Sequence, residues 1–592
     1  MPDYRLLRIE ANNIAVKIAV CFVIFVLFIC SPLAPRAAAQ PPNIPNSVEP
    51  GAEARRFQDE AEREKARVEK KAVKAPDIEM EKEAKPAVEA GPAFTLKGVK
   101  VTGSTIFTQE ELRGEYAPLI EKEVTFKDLE AVAEKIKDRY KKIGYLTTVV
   151  YIPEQDIAEG KIEIRIAEGR LGKVEVEGNN WFSSDLIKRY IHVKKNELFN
   201  IFTLQRDLIR LNQNSDLEVK TVLSAGDEPG ATNLILKVKD KFPIHAGVNY
   251  DNQGSRLTGR DRTSVSLRTS NLAGHSDSLF MNFTETTMTV GAFASYSLPV
   301  DTFGTKLGLD FSYFDMRIGR EYKIYDITGN NLSFVVKAVK EFCLSETFQL
   351  SGDAGLNIKS TKKWTDGVNT TDDQLRIPFV GMDITKMDSF FGGGQTTVSP
   401  EFSFGTAEFL NASARDHPSV GRPMTCGFFF KYEQDVSRTQ RMPLFDSYLS
   451  IRSQFQAATH PLPGSEQMQL GGANSVRGYP EGDYTADTGV TLNVDWVFPL
   501  VLLPKELKLP WTETPLRNQI EPMIFIDIAG GALKKVGPGE RNGKFLAGIG
   551  GGVKFHFERY VTFKAEWAGA VGDEPSHGNG ASTFHVSFQC QV

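Results

Sequence analysis

The feature that most constrains the fold is a series of short segments, from about residue 242 to the end, in which apolar and polar residues alternate. In residues 561–567, Val, Phe, Ala and Trp alternate with Thr, Lys and Glu, and residues 584–592 repeat the pattern. A period of two puts successive side chains on opposite faces of a strand. Segments of about ten residues, apolar on one face and polar on the other, are typical of a membrane barrel with lipid outside and water inside.

Other fold classes fit the sequence less well. A soluble β-sandwich also has alternating strands, but it would not normally carry Lys, Glu, Arg and His along one face of so many segments. The length of 592 residues is too great for one compact domain. The net charge of −5 does not suggest binding to nucleic acid. Beyond the first 30 residues no apolar run approaches the roughly 20 residues of a spanning helix, which excludes a bundle of membrane helices.

Residues 1–39 are predicted to be a signal peptide. A positively charged start precedes an apolar stretch at 18–30, and three alanines at 37–39 offer a small-residue cleavage site. A signal anchor is the alternative, although the stretch is shorter than the roughly 20 residues that spanning requires. A lipoprotein signal ending at Cys30 would carry a small residue where this chain has Ile29. We therefore expect an exported protein.

Residues 40–93 are predicted to be a linker that contains one charged helix. The stretch 51–73 consists largely of Ala, Glu, Lys and Arg, with almost no apolar stripe. Charges of mixed sign three and four positions apart can stabilise such a helix in water, but it cannot build a core. A disordered charged spacer is the alternative.

Two small α/β modules are predicted next, in residues 94–168 and 169–241. Each has the order strand, helix, helix, strand, strand. In the first module, strands are expected at 94–102, 146–152 and 161–167, with Thr108 and Thr125 capping the helices. In the second, strands are expected at 171–177, 218–224 and 233–238, with Thr203 capping the longer helix. Gly144 is placed to end the second helix of the first module.

The first module carries an ordered set of motif residues. They are Tyr140-x-x-x-Gly144-Tyr145-Leu146-Thr147-Thr148, then Pro153-x-Gln155-x-Ile157-x-x-Gly160, then Glu168-Gly169-x-Leu171. On these residues the module resembles the POTRA domain of two-partner secretion transporters, the class that includes the haemolysin secretion/activation proteins. The order of the secondary structure alone would indicate only a small α/β domain.

A second motif lies in a long loop of the C-terminal part. Val476-Arg477-Gly478-Tyr479 is similar to the loop motif of the POTRA-barrel superfamily, and Phe525-Ile-Asp527-Ile-Ala-Gly530 is similar to its strand motif. Ala529 stands where the family has glycine. The resemblance implies that the loop folds into the lumen and that Arg477 pairs with Asp527 on the barrel wall. An exposed loop arginine with a weak ion pair is the alternative.

The resemblance implies a mainly β chain, in which two small α/β POTRA domains precede a 16-stranded transmembrane β-barrel at 242–592. Segments 357–374 and 457–488 would be the longer extracellular loops. Such a protein would sit in the outer membrane of a Gram-negative bacterium, in contact with lipid, with the POTRA domains in the periplasm. It would act as a monomer and secrete a large, unfolded exoprotein, without nucleic acid. The alternatives are a barrel-assembly insertase, which usually has more POTRA domains, and a passive porin, which has none.

No motif for catalysis, a metal or a cofactor is found in the sequence. The eight histidines lack metal-ligand spacing, and no G-x-S-x-G nucleophile motif occurs. The glycine cluster at 548–552 lacks the third glycine of a dinucleotide-binding fingerprint and precedes an amphipathic strand. Cys343, Cys426 and Cys590 are an odd number of widely spaced cysteines, so no disulfide framework is expected. The prediction is a transporter and not an enzyme.

Overall fold

The computed structural model describes residues 49–69, 78–80 and 93–591, apart from short gaps inside the last range. Those gaps are 156, 158–159, 227–229, 414–420, 423–424, 426–427, 501–502, 505, 510–511, 538–539, 559 and 577–581. The predicted signal peptide lies outside the described residues. Two compact units divide the chain, one formed by residues 71–242 and the other by residues 1–70 together with 243–592.

The first module of the 71–242 unit keeps the predicted order of helices and main strands, with one unpredicted short strand, Glu123–Val124, between the helices. Its strands are β2 (Phe94–Thr95), β3 (Gly98–Thr102), β4 (Glu123–Val124), β5 (Val149–Tyr151) and β6 (Lys161–Ala167), and its helices are α2 (Gln109–Tyr116) and α3 (Phe126–Lys142). The single strand expected at 94–102 is two strands, because β2 pairs with β4 whereas β3 pairs in parallel with β6. Thr108 and Thr125 cap the helices as predicted, and Gly144 follows α3 with φ +95°.

The second module repeats the plan with one addition. It contains β7 (Arg170–Glu177), α4 (Ser184–Arg189), α5 (Ile201–Asn212), β8 (Leu217–Ala225) and β9 (Ala231–Asp240). The predicted cap of α5 was wrong: Asn200, not Thr203, accepts the hydrogen bond of the Phe202 amide. A linker strand, β1 (Ile78–Met80), pairs in parallel with β8, which gives the sheet order β1-β8-β9-β7. The sequence did not predict this strand.

The two modules contact each other at the end of α3. The Asn200 side chain donates to the Ile143 carbonyl at 3.0 Å, and the Ile201 amide donates to the Gly144 carbonyl at 2.8 Å. A Cβ at position 144 would lie 2.7 Å from both the Asn200 side chain and the Phe202 ring. Gly144 is therefore required both for its positive φ and for the close approach of the second module.

The other unit contains a closed antiparallel barrel of 16 strands. Its first eleven strands are β10 (Ile244–Asp251), β11 (Arg262–Thr269), β12 (Ser278–Glu285), β13 (Thr289–Pro299), β14 (Thr305–Arg317), β15 (Thr328–Leu344), β16 (Phe348–Thr365), β17 (Val368–Asp388), β18 (Gly394–Gly405), β19 (Phe429–Arg441) and β20 (Tyr448–Ala458). A small hairpin, β21 (Met468–Leu470) with β22 (Tyr484–Ala486), precedes the last five, which are β23 (Thr488–Val497), β24 (Ile520–Ala532), β25 (Gly543–Phe557), β26 (Val561–Ala570) and β27 (Ser582–Gln591). Strand β10 pairs with β27, so the barrel has no free edge.

Along the barrel strands, apolar residues lie on the outer face and polar residues on the inner face, as the alternation in the sequence predicts. In β14, Leu307 and Leu309 are exposed on the outer face, whereas Asp310 and Ser312 are buried on the inner face. We name the rim at which β10 begins the near rim and the opposite one the far rim. The connections alternate between these rims, and the one from β20 to β23, residues 459–487, lies at the far rim and turns into the lumen.

One loop prediction was wrong. Residues 357–374 were expected to form a long loop, but β16 and β17 run through them and meet at the two-residue turn Asp366-Gly367. Both turn residues have positive φ, as a type I′ hairpin turn requires. This segment therefore belongs to two long strands.

The charged linker segment forms a helix, α1 (Pro50–Glu69), inside the barrel. It contacts strands β13 to β16 and the start of the 459–487 connection. The sequence suggested a helix over 51–73, of which residues 70–73 lie outside the described residues. Among the described helices, none is long and apolar enough to cross a membrane. A helix with charges on every side is expected in a wet lumen and not in a packed core.

The candidate functional site, a closed lumen

Arg477 lies inside the barrel with 2% of its surface exposed, and it meets three carboxylates. Its Nε and Nη2 donate to the two carboxylate oxygens of Asp527, each at 2.7 Å. Its Nη1 donates to Glu566 at 2.7 Å and its Nη2 to Asp495 at 2.5 Å. The guanidinium carbon lies 3.4 Å from the centre of the Phe525 ring. A planar guanidinium suits this combination of bidentate pairing and stacking, which an ammonium could not reproduce.

Two further cations balance the charge of this group. Lys564 lies 2.6 Å from Glu566, and Arg452 lies 3.9 Å from Asp495. Three positive side chains therefore face three negative ones. The sequence predicted only the contact of Arg477 with Asp527. Asp495 and Glu566 stand at inward positions of β23 and β26. The alternation of residue types in these strands could show that both side chains face the lumen. It could not show that they contact Arg477, because the three residues belong to different elements.

The other loop-motif residues fix the backbone around Arg477. Gly478 has φ +100°, and a Cβ there would lie 2.8 Å from the Gly569 backbone. Tyr479 is buried, and its hydroxyl donates to the Asp573 carbonyl at 2.9 Å. Val476 packs with Leu470, Leu546 and Ala529, so the alanine at the family's glycine position adds an apolar contact.

Glycines of the barrel wall make room for the loop. A Cβ at Gly548 would lie 2.0 Å from the Arg477 carbonyl oxygen. Gly548 is the cross-strand partner of Asp527, so the loop backbone rests on the wall next to the ion pair. A Cβ at Gly530, in contrast, would meet none of the described residues within 4 Å, so this glycine does not seat the loop. The glycine cluster at 548–552 lies in the barrel strand β25. Its first residue, Gly548, makes room for the loop.

A second buried arginine, Arg422, connects several loops at the far rim. Arg422, in the connection between β18 and β19, donates from Nη1 to both oxygens of Asp487 at 2.9 and 3.1 Å. Its Nη2 donates to the Lys535 carbonyl at 2.8 Å. Asp487 is fully buried and also accepts the amides of Leu462 and Lys534. This group joins three far-rim connections, and no sequence motif indicated it.

The N-terminal part of α1 is held by ionic contacts to the loop and the wall. Arg55 contacts the Glu433 carboxylate and the Glu466 carbonyl, and Glu466 pairs with Lys359 and Lys431 at 2.5 and 2.7 Å. The Gln469 side chain donates to the Ala52 carbonyl at 2.6 Å. Helix and loop therefore fill the lumen together and contact each other directly.

The motif residues of the first module do not belong to the lumen site. Several of them lie next to β6, in the sheet of the first module. The Gln155 side chain both donates to the Glu163 carbonyl at 2.9 Å and accepts its amide at 2.7 Å, as a neighbouring strand would. Its Nε2 also lies 3.3 Å from the Pro153 carbonyl. Gly160 has φ +71°. Tyr145 makes an edge contact with Tyr140.

Among the described residues, no group of three His, Cys, Asp or Glu side chains could hold a metal ion. The charged groups around Arg477, Arg422 and Arg55 are instead paired with one another. Their geometry is that of a closed passage whose two obstructions, α1 and the 459–487 loop, are fixed by polar contacts.

Comparison with known proteins agrees with this geometry. Residues 230–555 match the family model described as haemolysin secretion/activation protein ShlB/FhaC/HecB, and residues 94–169 match the ShlB-type POTRA domain. The chain belongs to this family. Its members are outer-membrane transporters of two-partner secretion, which act with a large exoprotein partner through POTRA domains in the periplasm.

Individual relatives are distant. The heme/hemopexin transporter protein HuxB of Haemophilus influenzae is 25% identical over 415 residues, which cover 69% of this chain and 72% of the relative. The solved structure of CdiB from Escherichia coli superposes with a TM-score of 0.68 at 20% identity, over 94% of this chain and 100% of that one. BamA from Haemophilus ducreyi, lacking POTRA domains 1–3, gives 0.50 at 13% identity, over 84% and 100%. The transporter interpretation is therefore stronger than that of an insertase.

Proposed function

We propose that the transporter exports its exoprotein as an unfolded chain through the barrel lumen, and that α1 and the 459–487 loop close this passage between export events. The observation that carries the proposal is that both elements lie in the lumen and that ion pairs and hydrogen bonds, such as those of Arg55 and Arg477, contribute to holding them there. Such contacts can be exchanged for water when the elements move. Since β10 follows the periplasmic modules directly, the near rim is periplasmic and the far rim extracellular.

The helix is the obstruction that is easier to test. Removing residues 50–69 should raise the ion conductance of the protein in planar bilayers while secretion continues, because the helix occupies lumen volume and carries no strand of the barrel. Unchanged conductance would contradict a role as a plug.

In this proposal the POTRA domains bind the unfolded exoprotein in the periplasm. In this proposal the partner adds a strand to the edge of β8 in the second module, with main-chain hydrogen bonds that tolerate many sequences. Of the described linker residues, Ile78–Met80 of β1 occupy that edge. A partner strand that pairs along more of β8, which has nine residues, would make more main-chain hydrogen bonds and so displace these three.

A disulfide can test the displacement. Glu79 and Val222 are register partners of β1 and β8, and replacing both by cysteine should lock the linker strand in place. Secretion should stop in the oxidised protein and return after reduction, whereas Glu79→Cys alone should secrete normally. Normal secretion by the locked protein would contradict capture at this edge. Deleting residues 94–168 should also stop secretion while the barrel still inserts.

We further propose that the transporter acts as a monomer with lipid around the barrel. The closed ring of strands leaves no edge for a second copy, and exposed apolar residues such as Val265, Phe283 and Ile526 alternate along its outer face. Cross-linking in native membranes should yield one copy of the chain.

A further inference from the structure

One strip of the lumen wall is apolar, although its neighbours are polar. Phe280, Phe293 and Phe314 lie on three successive strands, β12 to β14, and each is at most 5% exposed. They occupy inward positions, since the residues two places along on the same strands contact the helix or other lumen groups. Asn282 bonds Glu64, for example, and Ser295 bonds Lys65. A water-filled barrel has no structural need for three inward phenylalanines in a row.

The strip continues to the far rim. Met316, Ile318, Ile327 and Leu257 belong to the same cluster as the three phenylalanines. Phe280 is the third residue of β12, which starts at the near rim, whereas Ile318, Ile327 and Leu257 lie in far-rim connections. The apolar surface therefore extends along most of the height of the lumen and is not confined to one point.

In the closed state α1 covers this strip with few side chains. Ala54, Phe57, Ala61 and the partly buried Val68 pack against it, and Phe57 is the only aromatic side chain among them. The Phe57 ring lies 5.7 Å from the Phe314 ring. It also lies over Gly291, where a Cβ would be 2.6 Å from the ring. If α1 leaves during export, the part of the strip that these side chains cover is uncovered.

We propose that this strip is a track that binds the apolar side chains of the exported chain, and that Phe57 occupies it between export events in place of such a side chain. The inference rests on the proposed export of an unfolded chain through the lumen. An extended chain presents its side chains alternately to two sides. Apolar ones can therefore contact the track while polar ones face the hydrated cavities of about 710 and 770 Å³ beside the helix.

Apolar contact suits this task physically. It is non-directional, so it accepts chains of different sequence. Several weak positions in series allow a chain to enter and still leave, as conduction through any pore requires. Elsewhere the lumen wall carries many charges, as at Lys359, Lys431 and Asp310, and such a surface binds an aliphatic or aromatic side chain poorly.

The test must distinguish two roles of the strip: binding the exported chain, or only binding Phe57 of the helix. Two full-length proteins are compared in planar bilayers, Phe57→Ser and Phe57→Ser/Phe293→Ser/Phe314→Ser, so that Phe57 is absent from the strip in both. The probes are two synthetic peptides of equal length and terminal charge, one of alternating Leu and Ser and one of Gly and Ser. The measurement is the duration of the current blockades that each peptide causes.

With the wall intact, blockades by the Leu–Ser peptide should last about tenfold longer than those by the Gly–Ser peptide, which corresponds to about 1.4 kcal/mol. With the wall phenylalanines replaced, the ratio should fall to near one. An equal ratio in both proteins would overturn the track. If neither peptide blocks either protein, the same peptides are applied to the variant that lacks residues 50–69, in which the absence of blockades would contradict the passage of extended chains through the lumen and with it the proposed function.

Two further variants guard against misfolding of the triple variant. In the Phe57→Ser background, Phe314→Ser alone should lower the ratio part of the way, and Phe293→Leu/Phe314→Leu should keep it, because leucine preserves apolar surface. Loss of the ratio in the leucine variant, or its full retention with Phe314→Ser, would overturn the proposal. Barrel integrity is checked by the resistance of the folded protein to unfolding in detergent without heat.

Discussion

Replacing Arg477 by alanine should release the 459–487 loop from the lumen wall. The change removes the cation from a group in which three positive and three negative side chains are balanced. Asp527 is fully buried and would keep only neutral donors, the Asn493 side chain at 2.8 Å and the backbone amide of residue 477 at 3.0 Å. The group would then carry one uncompensated negative charge.

The structure bounds the cost of this change. Breaking a buried ion pair by removing one partner typically costs about 3–5 kcal/mol, since the other charge stays buried. One cavity of about 770 Å³ is lined by Asn493, Asp495 and Lys564, and water there can hydrate part of the exposed carboxylates. We therefore expect the lower end, about 3 kcal/mol, which is roughly a hundredfold shift in the equilibrium that holds the loop inside.

Limited proteolysis of the folded protein is the assay. Cleavage within residues 459–487 should become much faster in Arg477→Ala, and secretion should fall, while the barrel still inserts into the membrane. Arg452→Ala is the matched control, since Arg452 is a lumen arginine with one long contact of 3.9 Å and a side chain 46% exposed. Such a pair is worth at most about 1 kcal/mol. Equal protection of the loop in wild type and Arg477→Ala would refute the reasoning.

Three further predictions concern contacts outside this group. Arg422→Ala leaves the buried Asp487 without its bidentate partner, so proteolysis of the far-rim connections should accelerate while conductance changes little. Gly144→Val should separate the two modules, because its Cβ would meet the second module at 2.7 Å; cleavage between the modules should increase, with normal barrel insertion. Glu168→Gln weakens bonds to the Thr105 and Ile106 amides and to Tyr140, so calorimetry should show the first module less stable by about 2 kcal/mol.

Much of the fold could be predicted because it follows from local chemistry. Alternation of residue types fixes which face of each barrel strand meets lipid, and capping residues such as Thr108 and Thr125 fix where helices begin. Predictions failed where two local signals compete. Thr203 is a good capping residue, but Asn200 lies earlier and also bonds the first module, so the helix begins three residues sooner.

The site was predicted only in part, because ion groups assemble from strands that are far apart in sequence. The motif indicated Arg477 and Asp527, yet Asp495 and Glu566 come from two other strands. No sequence motif contains Arg422 or Asp487, so their ion pair could not be predicted. The lumen position of α1 depends on Ala54, Phe57 and Ala61, which pack against the wall, and on ionic contacts such as that of Arg55 with Glu433. Neither was visible in a stretch with almost no apolar stripe. Tyr140 likewise shows the effect of tertiary context: burial raises the pKa of its phenol, which also faces the Glu168 carboxylate.

The additional carboxylates also change what a charge exchange should do. If Arg477 and Asp527 formed an isolated pair, as the sequence alone predicts, Arg477→Asp/Asp527→Arg should recover part of the lost function. In the structure, an aspartate at 477 would face Glu566 and Asp495, which lie 2.7 and 2.5 Å from the present guanidinium nitrogens. The group would still contain three cations, the new arginine, Lys564 and Arg452, and three carboxylates. The cation that now lies between the carboxylates would, however, be replaced by a carboxylate, and the new arginine would stand on β24 instead. We therefore expect the double variant to secrete no better than either single one. Recovery of secretion would mean that the contacts with Glu566 and Asp495 contribute little to holding the loop.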